Sequence, residues 1–154
     1  MNIGFRTSRA IVFSGALGFC CAVQGWAVEA AAKQLPAALA NARFYAWGAV
    51  GTPGEMSAEE MAARGVAQHW TSKEIRTALS VANAEGRLFL LCVARRKFPD
   101  AYPELKRTSG VQADQRISLF SGNVLRQVAA GEVMAQFERS GCEALDWSVD
   151  GKAP

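Results

Sequence analysis

The chain has 154 residues, half of them hydrophobic, with 17 Lys and Arg, 14 Asp and Glu, and a single His. That length suits one packed core. A formal charge of +3, with Arg95-Arg96-Lys97 as the one dense basic run, excludes the concentrated positive face of a nucleic-acid binder, and such a triplet reads as the solvated end of a strand.

Arg6 and Arg9 precede an uncharged run over residues 10–23, and Gly25-Trp26-Ala27 follows with small residues at the −3 and −1 positions. This is the pattern of a secretory signal peptide cut after Ala27. The apolar run of about 14 residues is shorter than the roughly 20 needed to span a bilayer, so no stable membrane span is expected after processing. Phe19 before Cys20 disfavours lipid attachment, where a small residue is wanted. Processing removes Arg6 and Arg9 and no acid, leaving 15 basic against 14 acidic residues. The expected location is the periplasm or outside the cell.

The expected organisation is a signal peptide (1–27), an Ala-rich lead-in (28–42), a single α/β domain (43–142) and an irregular tail (143–154). In the lead-in, Pro36 interrupts helical spacing, leaving a short helix. Residues 43–50, aromatic and apolar, predict the first strand, and Gly51-Thr52-Pro53-Gly54 a turn. Ser57 and Glu60 form a capping-box pattern opening a helix that carries Met61 and Ala62 on its buried side and stops at Gly65.

Thr71-Ser72-Lys73-Glu74 offers a second capping box, and Ile75, Ala78, Leu79 and Ala82 then fall on one helical stripe that Gly86 ends. Residues 87–94 form an unbroken apolar run, read as a strand covered on both faces. Pro103 opens a short helix through Thr108. Residues 116–120 and 124–128 flank Ser121-Gly122-Asn123 as a hairpin. Val133, Met134 and Phe137 mark a last helix over residues 130–139, ended by Gly141. The predicted class is α/β, a small layered sheet flanked by helices.

After processing only Cys92 and Cys142 remain. In an oxidising compartment an even pair is a disulfide candidate, and closing its loop would contribute about 3 to 4 kcal/mol. The competing reading makes Cys92 a buried hydrophobe with a free thiol. There is no CxxC motif, so no dithiol redox centre is encoded.

Phe44-Tyr45-Ala46-Trp47, the turn at Gly51-Thr52-Pro53-Gly54 with Met56 after it, and the passage from Gly110-Val111 through Phe120-Ser121-Gly122-Asn123 together resemble the thioredoxin-like fold across roughly residues 43–140. Gly51 and Gly54 stand where that family has paired cysteines, and Asp114 and Gln115 where it has a cis-proline. The resemblance thus implies a scaffold for binding without thiol–disulfide exchange.

No other catalytic signature is present: the sequence lacks a phosphate loop, a GxSxG elbow and a dinucleotide fingerprint. His69 has no HxxxH or CxxC companions for a metal, and no cofactor is expected. Glu59 and Glu60 are neighbours pointing to different sides of a helix, not a catalytic couple. Tyr45 and Trp47, two apart, share one face of their segment and Phe44 takes the other. With Trp70, Tyr45 and Trp47 are the candidate partner-binding aromatics, and Trp147 is a further possible anchor. The expected function is a non-catalytic exported binding or accessory domain with a protein partner in the cell envelope, serving an envelope or secretion assembly. The alternative is a small exported hydrolase or transferase using Cys142 or Cys92 with His69.

Overall fold

A computed structural model describes residues 33–50 and 54–142; residues 1–32, 51–53 and 143–154 lie outside the described residues. The elements in order are α1 (Ala37–Ala40), β1 (Ala49–Val50), β2 (Glu55–Met56), α2 (Ala58–His69), α3 (Ser72–Val81), α4 (Ala84–Lys97), α5 (Tyr102–Thr108), β3 (Arg116–Ser121), β4 (Val124–Ala129) and α6 (Ala130–Ser140). The class is mixed α/β. The expected signal peptide, residues 51–53 of the expected turn and the tail expected to be irregular lie outside the described residues.

The central element is α4, and it corrects the expected strand at 87–94. Its residues from Leu88 to Ala94 are all buried, packed among α1, α2, α3, α5, α6 and β3. A helix enclosed on every side has no polar face, so its sequence carries no period and looks like a two-sided strand. What distinguishes it lies at its ends. The Asn83 side chain accepts a 3.0 Å hydrogen bond from the Gly86 N–H, Glu85 occupies the first turn, and Arg95, Arg96 and Lys97 the last. Those charges complement the helix dipole at both termini. Gly86, expected to stop α3, belongs to the first turn of α4, and α3 ends at Val81, where the Ala82 N–H closes on Ala78.

The basic triplet is therefore a helix end. Arg95 donates to the carbonyls of Phe137 and Glu138 and Lys97 to that of Ala67. The carbonyls of Glu138 and Ala67 lie in the last turns of α6 and α2, which leave such groups open, whereas that of Phe137 also accepts from the Gly141 N–H.

The two expected caps differ. At α3, Thr71 and Glu74 exchange hydrogen bonds in both directions, a complete box. At α2, Ser57 accepts from the Glu60 N–H at 3.0 Å, but the Glu60 carboxylate goes to Gly48 and Arg64. The predicted stop at Gly65 is also corrected, since α2 continues to His69. Val66 and Ala67, buried beyond it, outweigh the cost of about 1 kcal/mol for an interior glycine.

Residues 43–48 are not a regular strand. Tyr45 forms one parallel bridge to Leu119, donating from its N–H to Ser118 at 2.7 Å and accepting from Phe120 at 3.0 Å. Only Ala49–Val50 pairs further, with Glu55–Met56. The β3–β4 hairpin is antiparallel, with Ile117 opposite Val128, Leu119 opposite Arg126 and Ser121 opposite Val124. Gly122 at φ 59° supplies the left-handed position of its two-residue turn. Ile117 is fully buried, so this row faces inward, and Arg116, Ser118, Phe120, Leu125, Gln127 and Ala129 face outward. Pro36 precedes α1 and does not break it, and Leu39 is fully buried in the core.

Candidate functional site

Tyr45 and Trp47 converge as their spacing requires. Their rings meet edge-on at 6.3 Å, and both pack on Phe89 of α4, at 4.9 and 5.0 Å. Phe44 takes the opposite side and lies 5.3 Å from Phe120. Tyr45 is buried, and that burial, opposed by the neighbouring Trp47 indole, holds its phenol well above the ordinary range. The phenol stays neutral at physiological pH and cannot act as a base there.

A cleft of about 130 Å³ opens beside these aromatics. Tyr45 and Trp47 form one wall, Leu119, Phe120 and Arg126 of the hairpin a second, and Val133, Gln136 and Phe137 of α6 with Cys142 a third. Arg126 and Gln136 are exposed at its rim. Pockets that enclose small-molecule ligands measure roughly 300–1,000 Å³, so this one suits a single inserted side chain.

Cys92 and Cys142 lie at disulfide distance, with Cα atoms 6.0 Å apart, inside the usual span of about 4.4–6.8 Å. Cys92 is fully buried in α4. A bridged sulfur offers no thiolate for attack. His69 is exposed at the end of α2, where its carbonyl accepts from Lys33, and it does not line the cleft that holds Cys142. Trp70 is also elsewhere, in a separate hollow of about 240 Å³ with Lys33, Leu35, Glu74 and Val81. The structure thus joins Tyr45, Trp47 and Cys142 in one cleft and leaves His69 and Trp70 outside it.

Three features escaped the sequence reading. Glu59 and Glu60 are both buried, yet they serve different partners. Glu59 accepts from the Arg43 Nε at 3.2 Å, while Glu60 accepts from Arg64 at 2.6 Å and from the Gly48 N–H at 2.8 Å. They brace the segment before β1 against α2; the i, i+4 spacing of Glu60 and Arg64 was the available signal. The second is an apolar strip on the outward face of the hairpin, where Phe120 pairs with Leu125 and Phe44 stacks beside it under the Arg43 guanidinium. The third is the outer edge of β4. Tyr45 occupies the far side of β3, so among the described residues β4 pairs on one side only, and its Val124 and Leu125 are 60% and 58% exposed. Alternation alone does not tell an edge strand from an inner one.

Among the described residues no three His, Cys, Asp or Glu side chains converge to hold a metal ion, and no helix is long and apolar enough to cross a membrane. Comparison with known protein families, with curated proteins and with solved structures finds no match.

Proposed function

We propose that this chain is a non-catalytic exported binding or accessory domain whose protein partner, in the cell envelope, adds an extended segment along β4. The observation that carries this is the juxtaposition of Val124 and Leu125, both more than half exposed, on a strand that among the described residues pairs on one side only. Backbone groups of an edge strand supply affinity in such strand addition, and pockets for alternate side chains supply selectivity. Here those pockets are the cleft on the inward face and the Phe44, Phe120 and Leu125 strip on the outward face. Cys142 in the cleft lies at disulfide distance from Cys92, and a bridged sulfur would offer no thiolate for hydrolysis, which supports binding as the reading. Export is the reading of Arg6, Arg9, the apolar run and Ala27.

The test is site-specific photocrosslinking in the producing cell, with a photoreactive residue at Leu125 and, as a control, at Val81 in the hollow beside Trp70. One adduct is expected from Leu125 and none from Val81, with the crosslink mapping to an extended segment of the captured protein and vanishing when Val124→Asp is added. Equal labelling from both sites, or none from Leu125, rejects the proposal. The purified protein is expected to begin at Val28; an intact N-terminus on the cytosolic protein rejects the exported role.

A further inference from the structure

Hydrogen bonds on the far side of β3 fix which backbone groups of β4 are open. The Tyr45 N–H donates to the Ser118 carbonyl and the Phe120 N–H to the Tyr45 carbonyl, while the Ser118 N–H donates to the Glu85 carboxylate at 3.0 Å. Ser118 and Phe120 thus turn their backbone groups away from β4, and Ile117, Leu119 and Ser121 turn theirs toward it. Their partners on β4 are Val128, Arg126 and Val124, so Leu125 and Gln127 direct N–H and carbonyl to the open side. We infer that the segment added there is acidic: it sets an apolar residue beside Leu125 and, in the next two positions, carboxylates that meet Arg126 and Arg116. This selectivity rests on the strand-adding role proposed for β4.

From Gln115 to Gly131 the chain has two cations, Arg116 and Arg126, and no Asp or Glu. Alternation sets them on opposite faces of the hairpin. Arg126 points inward, opposite Leu119, and stands exposed at the mouth of the cleft. None of the residues lining that cleft is a carboxylate, and none of the ion pairs among the described residues includes Arg126. Arg116 points outward and donates to the Gln127 carbonyl at 2.9 Å, one of the carbonyls on the open edge. A guanidinium carries further donors beyond that bond, in a planar fork that matches a carboxylate.

Successive residues of an added strand face alternate sides. The one beside Leu125 faces outward, toward the strip of Phe120 and Phe44, and suits an apolar side chain. The one beside Arg126 faces inward at the cleft mouth. The one beside Gln127 faces outward again, next to the Arg116 guanidinium. Two adjacent acids therefore meet two cations on opposite faces, and opposite charges side by side on neighbouring strands are favourable where like charges are not. A segment with Lys or Arg at those positions is repelled, so the two residues that attract an acidic strand also select against a basic one.

Fluorescence anisotropy on the purified protein tests this with a fluorescein-labelled, amidated peptide in which a central valine is flanked on each side by two glutamates, so that either strand direction presents the motif, and with the same peptide carrying glutamines. The glutamate peptide is expected to bind at least about fivefold more tightly. Arg116→Gln combined with Arg126→Gln is expected to remove that preference, whereas Lys73→Gln with Arg107→Gln, which takes the same charge from exposed positions of α3 and α5, keeps it. Arg116→Glu with Arg126→Glu is expected to turn the preference toward a peptide with lysines at those positions, and that binding also shows an intact edge. Equal affinity for the glutamate and glutamine peptides, binding of neither, or loss of the preference in the α3 and α5 variant overturns the inference. Sedimentation with phosphatidylglycerol vesicles in place of peptide binding assigns the two arginines to a lipid surface and also overturns it. The two readings of β4 fail separately. A Leu125 adduct in the cell with no peptide preference keeps strand addition and removes the acidic selectivity, whereas a peptide preference without any adduct keeps the selectivity and removes the envelope partner.

Discussion

Gly86 lies so close under the Leu39 carbonyl that a Cβ built on it would sit 1.9 Å from that oxygen. α1 and α4 pack backbone against backbone at this point, and Asn83 ties the same two segments by donating to the Ala42 carbonyl at 2.7 Å. Gly86→Ala is therefore expected to lower stability by about 1–3 kcal/mol, since neither backbone can yield cheaply. Gly65, inside α2, meets nothing within 4 Å, so Gly65→Ala is expected to raise stability by roughly 0.5–1 kcal/mol. Urea unfolding of the two variants checks the contrast in sign; equal effects would refute the packing argument.

Cys92 of α4 and Cys142, just past the end of α6, are 50 residues apart in sequence and lie at disulfide distance. Replacing both by Ala is expected to cost about 3 to 4 kcal/mol, mainly by freeing the unfolded chain. Peptide mapping without reductant is expected to recover the two cysteines linked. Added reductant should bring the unaltered protein down toward the double variant in a urea titration and leave that variant unmoved. A midpoint indifferent to reductant would show that the bridge does not form.

Glu138 Oε1 accepts from the Lys106 ammonium and from the Tyr102 hydroxyl, each at 2.6 Å. Lys106 first, then Tyr102, hold its carboxyl below the usual range. Because the folded value is the lower one, the contribution is present above the unfolded value of about 4.3 and disappears as pH falls through the folded value. Lys106 and Glu138 are both partly solvated, which limits the contribution to about 0–1 kcal/mol. Glu138→Gln is expected to be less stable than the unaltered protein at neutral pH by that amount, with the difference vanishing as pH falls through the folded value. Urea midpoints measured across this interval check it, and a difference constant with pH would exclude the ion pair as its source.

Much of the architecture was legible where the signal is local. Thr71 and Glu74 marked the start of α3 because their reciprocal hydrogen bonds lie within one turn. Gly122-Asn123 set the hairpin, and Gly141 the end of α6. The shared face of Tyr45 and Trp47 followed from their spacing, and Phe89, their common neighbour, did not, because it came from the run read as a strand. Ser57 and Glu60 show the limit of such signals: the pattern of a capping box was present, but burial beside Arg64 and Gly48 drew the carboxylate away from the cap.

By itself the sequence determined the complete cap at Thr71, the turn of the hairpin and the amphipathic stripes of α3 and α6, all features governed by hydrogen bonds or periodicity over a few residues. Tertiary structure decided the rest. Residues 87–94 became a helix because six elements enclose them, and a segment covered on all sides carries no periodicity to read. Which strand was left with an open edge, and which aromatics line a cleft, depended on Tyr45 closing one side of β3 and α6 crossing its face. The Tyr45–Leu119 bridge joins residues 74 positions apart, and short-range pattern holds no record of such a contact.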